Sequence, residues 1–92
     1  MEKLILIGGG GHCLSCIDVI HLEDKYKIIG IVDKNQKLNK NIKYKIIGND
    51  KHLFDLIKKY KNALITVGQI KNNITRLKLY KKLKNFGASL PF

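Results

Sequence analysis

The sequence predicts an α/β fold, a Rossmann-like parallel sheet of four to five strands with helices on both faces. Its apolar runs are short, continuous and bounded by glycine or polar residues, as is typical of strands buried on both faces. Between most of these runs, apolar residues recur at helical spacing instead. The resulting order, β-α-β-loop-β-α-β-α-(β), favours the strand order 3-2-1-4-(5).

The first strand, the turn after it and the first helix form the opening unit. Apolar residues 4–7 are followed by glycines at 8–11 and by His12. The next segment is expected to be a helix that ends near 21–22, with small or apolar residues at positions 13, 16, 17 and 20. Glycines let the main chain approach a phosphate, and the N–H groups of a first helical turn point at it. This unit predicts the opening of a nucleotide-binding domain.

Further strands are predicted over 27–32, 44–47 and 63–67, and residues 88–90 are compatible with the start of a fifth. Residues 33–41 are polar and aperiodic, which predicts a loop.

The two downstream helices have recognisable ends. The second is expected over 50–61, with Asn49 or Asp50 as its cap. The third is expected to open at 72–73 and to place Gly87 at its C′ position. The apolar residues expected on their inner faces are Leu53, Phe54, Ile57 and Tyr60 in the second helix, and Ile70, Ile74, Leu77, Tyr80 and Leu83 in the third.

Length and composition restrict the class of protein. We expect one domain over 1–92, located in the cytoplasm, because no apolar run approaches the roughly 18 residues of a membrane span or forms a secretory signal. The net charge is +11, but Arg76 is the only arginine and the lysines are scattered over every element. Arginine is favoured for phosphate forks and guanine edges. We therefore expect no nucleic-acid or membrane partner, whereas the charge favours an anionic small ligand.

The glycine turn is an incomplete dinucleotide-binding fingerprint. Gly8 and Gly10 match G-x-G-x-x-G, but Cys13 stands at the third glycine position. Asp33 follows the second strand, where an acid usually holds a ribose hydroxyl. Without further motifs, the pattern is compatible with nucleotide or NAD binding and with a turn that serves only the backbone. His12 is placed either to donate to a phosphate or sugar, or to bond with solvent or the backbone.

Cys13 and Cys16 form a C-x-x-C pair at the start of the first helix, where the helix dipole predicts a lowered pKa for Cys13. A thioredoxin-type site normally adds a cis-proline, and the only proline here is Pro91. A metal site needs more ligands than His12 and two cysteines. We therefore favour small residues that pack the helix onto the sheet over a redox or metal role.

Motifs spread over nearly the whole chain identify a family. They are Ile7–His12, Gly30–Asp33, Gly48–Asp50, and Val67-Gly68 together with Arg76. In this order they resemble the N-terminal domain of the bacterial sugar acyltransferases of the PglD/NeuD type, in which the turn reads I-G-x-G-G-H and the second strand ends in G-F-x-D.

The resemblance implies a Rossmann-like domain that binds a nucleotide-linked sugar. In the family a left-handed parallel β-helix of hexapeptide repeats follows, and it supplies the trimer, the acetyl-CoA groove and the general base. We expect that β-helix to be absent from residues 1–92, and we expect this chain alone not to catalyse acetyl transfer. We also expect a monomer or weak dimer. Acetyl-CoA is implied for the full-length family, and no cofactor is expected in this chain.

The resemblance also implies three groups of site residues. Those near the diphosphate or sugar are Gly8, Gly9, Gly10, Gly11 and His12. Those near the ribose or base are Asp33 and Lys34, and the floor of the same crevice is Gly68. The family usually has a basic residue at position 14, and Lys34 is the candidate to supply that charge here. No catalytic residue or metal ligand is expected. The implied function is substrate binding for an acetyl-CoA-dependent sugar acetyltransferase of surface-glycan synthesis, and the alternative is a stand-alone regulatory domain that binds NAD or CoA.

Overall fold

The computed structural model describes residues 2–9, 11–33, 42–66 and 73–90, and at residues 11, 12, 50 and 73–76 it describes the backbone alone. Within these residues lies a parallel sheet of four strands in the order β3-β2-β1-β4. The strands are β1 (Glu2–Ile7), β2 (Tyr26–Val32), β3 (Ile46–Gly48) and β4 (Asn62–Ile65). The helices are α1 (Gly11–Glu23), α2 (Leu53–Tyr60) and α3 (Asn73–Asn85). The predicted fold class and strand order are confirmed, and the described residues contain no β-helix.

β1 is a central strand whose side chains alternate between two hydrophobic clusters of the described residues. Leu4 and Leu6 pack with α1, whereas Ile5 and Ile7 pack with α2 and α3. The first cluster also contains Cys13, Ile17, Ile20, Ile28, Ile31 and Ile42. The second also contains Val32, Leu53, Ile57, Ala63, Leu83 and Ala88. Burial on both faces explains why this strand is apolar at successive positions, and it confirms the expected helices on both sides of the sheet.

A fifth strand begins beside β4 as a single parallel bridge between Asn62 and Ser89. The Ser89 N–H donates to the Lys61 carbonyl oxygen (2.8 Å), and the Ala63 N–H donates to the Ser89 carbonyl oxygen (2.9 Å). The pairing at 88–90 is therefore confirmed as far as the described residues extend. β3 begins two residues later than predicted, and Val67, the predicted end of β4, lies outside the described residues.

The predicted inner face of α3 is wrong at two positions. Leu77 and Tyr80 are 51% and 44% exposed, whereas Leu83 is fully buried and Leu79 and Phe86 pack against the same cluster. Leu77 lies roughly 120° around the helix from Leu83, so the two side chains cannot face the same layer. The side chains of Ile70 and Ile74 are outside the described part of the chain.

Phe54 was also expected on an inner face, that of α2, and is 42% exposed. Its ring packs edge-on against Phe86, with centroids 5.1 Å apart at an interplanar angle of 80°. Leu53 and Ile57 are buried as predicted, and Tyr60 packs at the margin of the same cluster. α2 therefore buries a narrower stripe than its apolar content suggests.

The capped start of α2 is a 3-10 turn, Asp50–His52, which precedes the α-helix. The Asn49 side chain accepts the Lys51 N–H (2.9 Å), and the Asn49 N–H donates to Nδ1 of His52 (3.1 Å). This reciprocal pair resembles a capping box, with histidine in the position of Glu or Gln and with the second rather than the third N–H as the donor. Asn49 therefore caps the 3-10 turn. The α-helix itself begins at Leu53 and ends at Tyr60, and its own N-cap residue, His52, makes no side-chain cap bond.

α3 ends in a Schellman motif, as its glycine predicts. Gly87 has a φ of 89°, a left-handed conformation. The Gly87 N–H donates to the Lys84 carbonyl oxygen (3.0 Å), and the Ala88 N–H donates to the Leu83 carbonyl oxygen (3.0 Å). The turn thereby directs the chain from α3 into the bridge beside β4.

Candidate functional site

The candidate site lies at the carboxyl end of β1, where the chain turns at Gly8. Gly8 has a φ of 114°, which side-chain-bearing residues rarely adopt. Its N–H donates to the Val32 carbonyl oxygen (2.9 Å), so the turn stays attached to the end of β2. α1 begins at Gly11, three residues later. The strand, turn and helix predicted from the glycine-rich segment are therefore present.

Asp33, the first residue after β2, points at this turn. Its Oδ2 accepts the Gly9 N–H at 2.7 Å, and its own N–H donates to the Gly48 carbonyl oxygen at 3.1 Å. The structure thus brings three predicted site residues together: Gly8, Gly9 and Asp33. Because the Gly8 and Gly9 N–H groups bond within the protein, these two glycines shape the turn, and their amides do not face an incoming anion.

The main-chain donors that suit an anion at this corner belong to the start of α1. Gly11 and His12 are the first residues of that helix. The first N–H groups of an α-helix have no acceptor within the helix and carry partial positive charge. Such a helix start accommodates phosphate or carboxylate groups. Of the other predicted site residues, Gly10, Lys34 and Gly68 lie outside the described residues, as does the side chain of His12.

Thr66 is a site residue that the sequence reasoning missed. It follows β4 directly and is fully buried. Its hydroxyl donates to the Gly8 carbonyl oxygen at 2.5 Å, and its N–H donates to the Ile7 carbonyl oxygen at 2.9 Å. The available signal was a hydroxyl residue within an otherwise apolar run, two residues before Gly68, near the predicted end of the fourth strand.

The expected lowering of the Cys13 pKa is wrong. Cys13 is fully buried, and burial raises the pKa of its thiol above the ordinary value of 9.0, an effect that the hydrogen bond with Thr66 partly offsets. The partial charge at the helix start therefore does not make a reactive thiolate here, because desolvation outweighs it. Cys13 packs α1 onto the sheet, which is the interpretation favoured from the sequence.

Two negative findings apply to the described part of the chain. It contains no group of three or more His, Cys, Asp or Glu residues that could hold a metal ion. None of the helices described there is both long enough and apolar enough to cross a membrane.

Comparison with protein families gives one match over most of the chain. A sequence model of the PglD N-terminal domain matches residues 3–83. A search of curated proteins finds no match.

Comparison with solved structures finds the same architecture in larger proteins. A variant of perosamine N-acetyltransferase from Caulobacter crescentus, solved with CoA and GDP-perosamine, is similar with a TM-score of 0.79 and 25% identity over 98% of this chain. PerB from the same organism, solved with the same two ligands, is similar with a TM-score of 0.78 and 25% identity over 98% of this chain. The chain spans 41% of the length of each of these structures.

A dehydrogenase is similar in fold alone. UDP-D-quinovosamine 4-dehydrogenase from Vibrio fischeri has a TM-score of 0.76 and 20% identity, over 97% of this chain and 75% of its own. At that identity the likeness concerns the backbone architecture and carries no argument about ligands.

Proposed function

The chain belongs to the PglD N-terminal domain family, and on this premise we propose that it binds a nucleoside-diphosphate sugar at the corner between β1, β2 and β4. In this proposal the chain is the substrate-binding part of an acetyl-CoA-dependent sugar acetyltransferase of bacterial surface-glycan synthesis. Perosamine N-acetyltransferase, which was solved with a GDP-linked sugar and CoA, supports this substrate class. Because the chain spans 41% of that protein, we assign acetyl-CoA binding and the acyl transfer to residues outside it.

The observation that carries the proposal is the arrangement of the Gly8–Gly9 turn ahead of α1. Asp33 and Thr66 fasten the turn from two sides, through the bonds to Gly9 and Gly8. The turn leads directly into the start of α1, whose first N–H groups attract anions. We assign the diphosphate to this helix start, and the proposal keeps the expectation from the family resemblance that Lys34 supplies positive charge and that Gly68 contributes to the site.

We assign the ribose or base to Asp33. A carboxylate has about four acceptor positions, and the bond from Gly9 fills one of them. Asp33 therefore holds the turn in the proposal and also accepts a ribose hydroxyl. An acid after the second strand has this role in many dinucleotide-binding domains.

The test is a calorimetric titration of the chain with GDP-mannose, UDP-N-acetylglucosamine, NAD and CoA, with free mannose as the control. We expect at least one nucleotide-sugar to bind, and to bind more tightly than NAD or CoA. Free mannose, which lacks the diphosphate, is expected not to bind. Tighter binding of NAD or CoA contradicts the proposal and supports a stand-alone regulatory domain instead. Failure of both nucleotide-sugars to bind also contradicts it.

A further inference from the structure

Thr66 carries a buried hydroxyl that the sheet itself does not require. Its N–H continues the pairing with β1 by donating to Ile7, but its side chain leaves that pattern and donates to the Gly8 carbonyl oxygen. Valine has nearly the same shape and an equally good preference for strands. The hydroxyl therefore needs another explanation, and the Gly8 peptide is its acceptor.

The Gly8 carbonyl that accepts this bond belongs to the same peptide group as the Gly9 N–H, which donates to Asp33. Thr66 therefore holds one side of this peptide group and Asp33 holds the other.

The peptide groups at Gly8 are held from two neighbouring strands. Gly8 is held on its N–H side by Val32 and on its carbonyl side by Thr66. α1 begins three residues later, at Gly11, so the turn that Thr66 holds is the one that precedes the N–H groups that we assign to the diphosphate.

We propose that Thr66 is a positioning residue of the nucleotide-sugar site, which orients the peptide group between Gly8 and Gly9 ahead of α1. This role rests on the proposed function as far as the ligand is concerned. The position of the turn is measurable without any ligand, so the two parts of the proposal are tested separately.

The test compares Thr66→Val, which removes the hydroxyl at nearly constant shape, with Thr66→Ser, which keeps it. We expect Thr66→Val to weaken binding of GDP-mannose or UDP-N-acetylglucosamine, whichever the unmodified chain binds, by about tenfold. Thr66→Ser is expected to stay within about threefold of the unmodified chain. Calorimetric titration of the full chain measures both.

Amide hydrogen exchange of Gly9 is the readout that needs no ligand. The Gly9 N–H donates to Asp33 and belongs to the same peptide group as the Gly8 carbonyl that Thr66 holds, so this bond depends on the orientation of that group. We expect the exchange of this amide to speed up about tenfold in Thr66→Val and to be restored in Thr66→Ser. The matched control is Ile28→Val, a core substitution in β2 away from the turn, which is expected to leave the Gly9 exchange and the affinity unchanged.

The outcomes separate the possibilities. Equal affinity and equal Gly9 exchange in Thr66→Val and the unmodified chain overturn the positioning role. An affinity loss that Ile28→Val shares also overturns it, because it then reflects general destabilisation. If the unmodified chain binds no nucleotide-sugar, the proposed function fails, while the exchange data still decide the role of Thr66 in the turn. Should Thr66→Val not fold, Thr66→Cys, with its weak donor, takes its place under the same criteria.

Discussion

Asp33 joins the ends of neighbouring strands through one side chain and one amide. Its carboxylate accepts the Gly9 N–H after β1, and its N–H donates to Gly48 at the end of β3. A hydrogen bond to a charged group contributes roughly 1.5–3 kcal/mol, about twice a neutral one. The residue therefore stabilises the corner in the absence of ligand and presents a carboxylate at its edge.

Replacing Asp33 by asparagine is expected to affect both stability and binding. The amide oxygen of Asn accepts from Gly9 but carries no charge, so we expect Asp33→Asn to lower the free energy of unfolding by about 1 kcal/mol and nucleotide-sugar affinity by about tenfold. Urea unfolding and calorimetric titration measure the two effects. The matched control is Asp24→Asn at the exposed, left-handed position after α1, expected within about 0.5 kcal/mol of the unmodified chain. Equal losses of stability and of affinity in Asp33→Asn and Asp24→Asn would falsify the role of Asp33.

Cys13 makes stability depend on alkaline pH. Because its pKa is raised in the folded chain, mainly by burial, the folded state keeps the thiol proton at a pH where the unfolded state has lost it. The contribution of this thiol to stability is complete below its ordinary pKa of 9.0 and declines as the pH rises above that value, by at most about 1.4 kcal/mol per pH unit.

We expect Cys13→Ser to remove that part of the decline, since serine does not titrate in this range, and Cys16→Ser to retain it. The measurement is the free energy of unfolding in urea between pH 7 and about pH 10, under reducing conditions. Comparison of the slopes subtracts the contribution of every other group, which all the variants share. If the free energy of unfolding declines with pH at the same slope in both serine variants, Cys13 is not the source of the decline.

Residues differ in how far the sequence reveals their role. Asp33 was predictable because it ends an apolar run at an edge where parallel strands meet. Thr66 was not, because threonine in a strand is an ordinary strand former and its partner Gly8 is 58 residues away. The Cys13 pKa was predicted in the wrong direction because a helix position indicates the dipole but does not indicate burial.

At the scale of elements, the strand order and the two helical layers were predictable from apolar runs and their spacing. The face that α3 buries was not. Its sequence carries one apolar set that includes Leu77 and Tyr80 and another made of Leu79 and Leu83 with Phe86 beyond the helix end. Either set satisfies helical periodicity, and the choice between them depends on the partners that the rest of the fold supplies.

The corrected register of α3 predicts a contrast between two identical substitutions. Leu83 is fully buried and Leu77 is 51% exposed. We expect Leu83→Ala to lower the free energy of unfolding by about 2–5 kcal/mol and Leu77→Ala by less than about 1 kcal/mol. Both variants have the same intrinsic helix propensity change, so the difference reports burial alone. Chemical denaturation measures the two losses, and comparable losses at Leu77 and Leu83 would support the inner face first predicted from the sequence, which contained both residues.

For the whole molecule, the dominant electrostatic feature is an excess of positive charge. The chain has 18 basic and 7 acidic side chains and a formal net charge of +11. Self-repulsion of this size favours expanded states, and it is weakened by salt because the Debye length falls to about 10 Å at 0.1 M.

We expect the Tm of the chain to rise by several degrees when sodium chloride is increased from about 10 mM to about 200 mM. Under the same change, nucleotide-sugar affinity is expected to fall, since screening weakens attraction of the diphosphate. Differential scanning calorimetry and titration follow the two trends. A Tm that stays constant or falls would mean that the lysines are spaced widely enough not to destabilise the fold.

The hydrogen bond between Thr66 and Gly8 has a consequence for the order of events during synthesis. Gly8 leaves the ribosome long before the residue that fixes its carbonyl group, since 58 positions separate them. A nascent chain that stops short of β4 carries every glycine of the turn and still lacks the donor that orients it. Under the proposed function, a nucleotide-sugar would therefore bind only those chains, in a series of increasing length, that extend past Thr66.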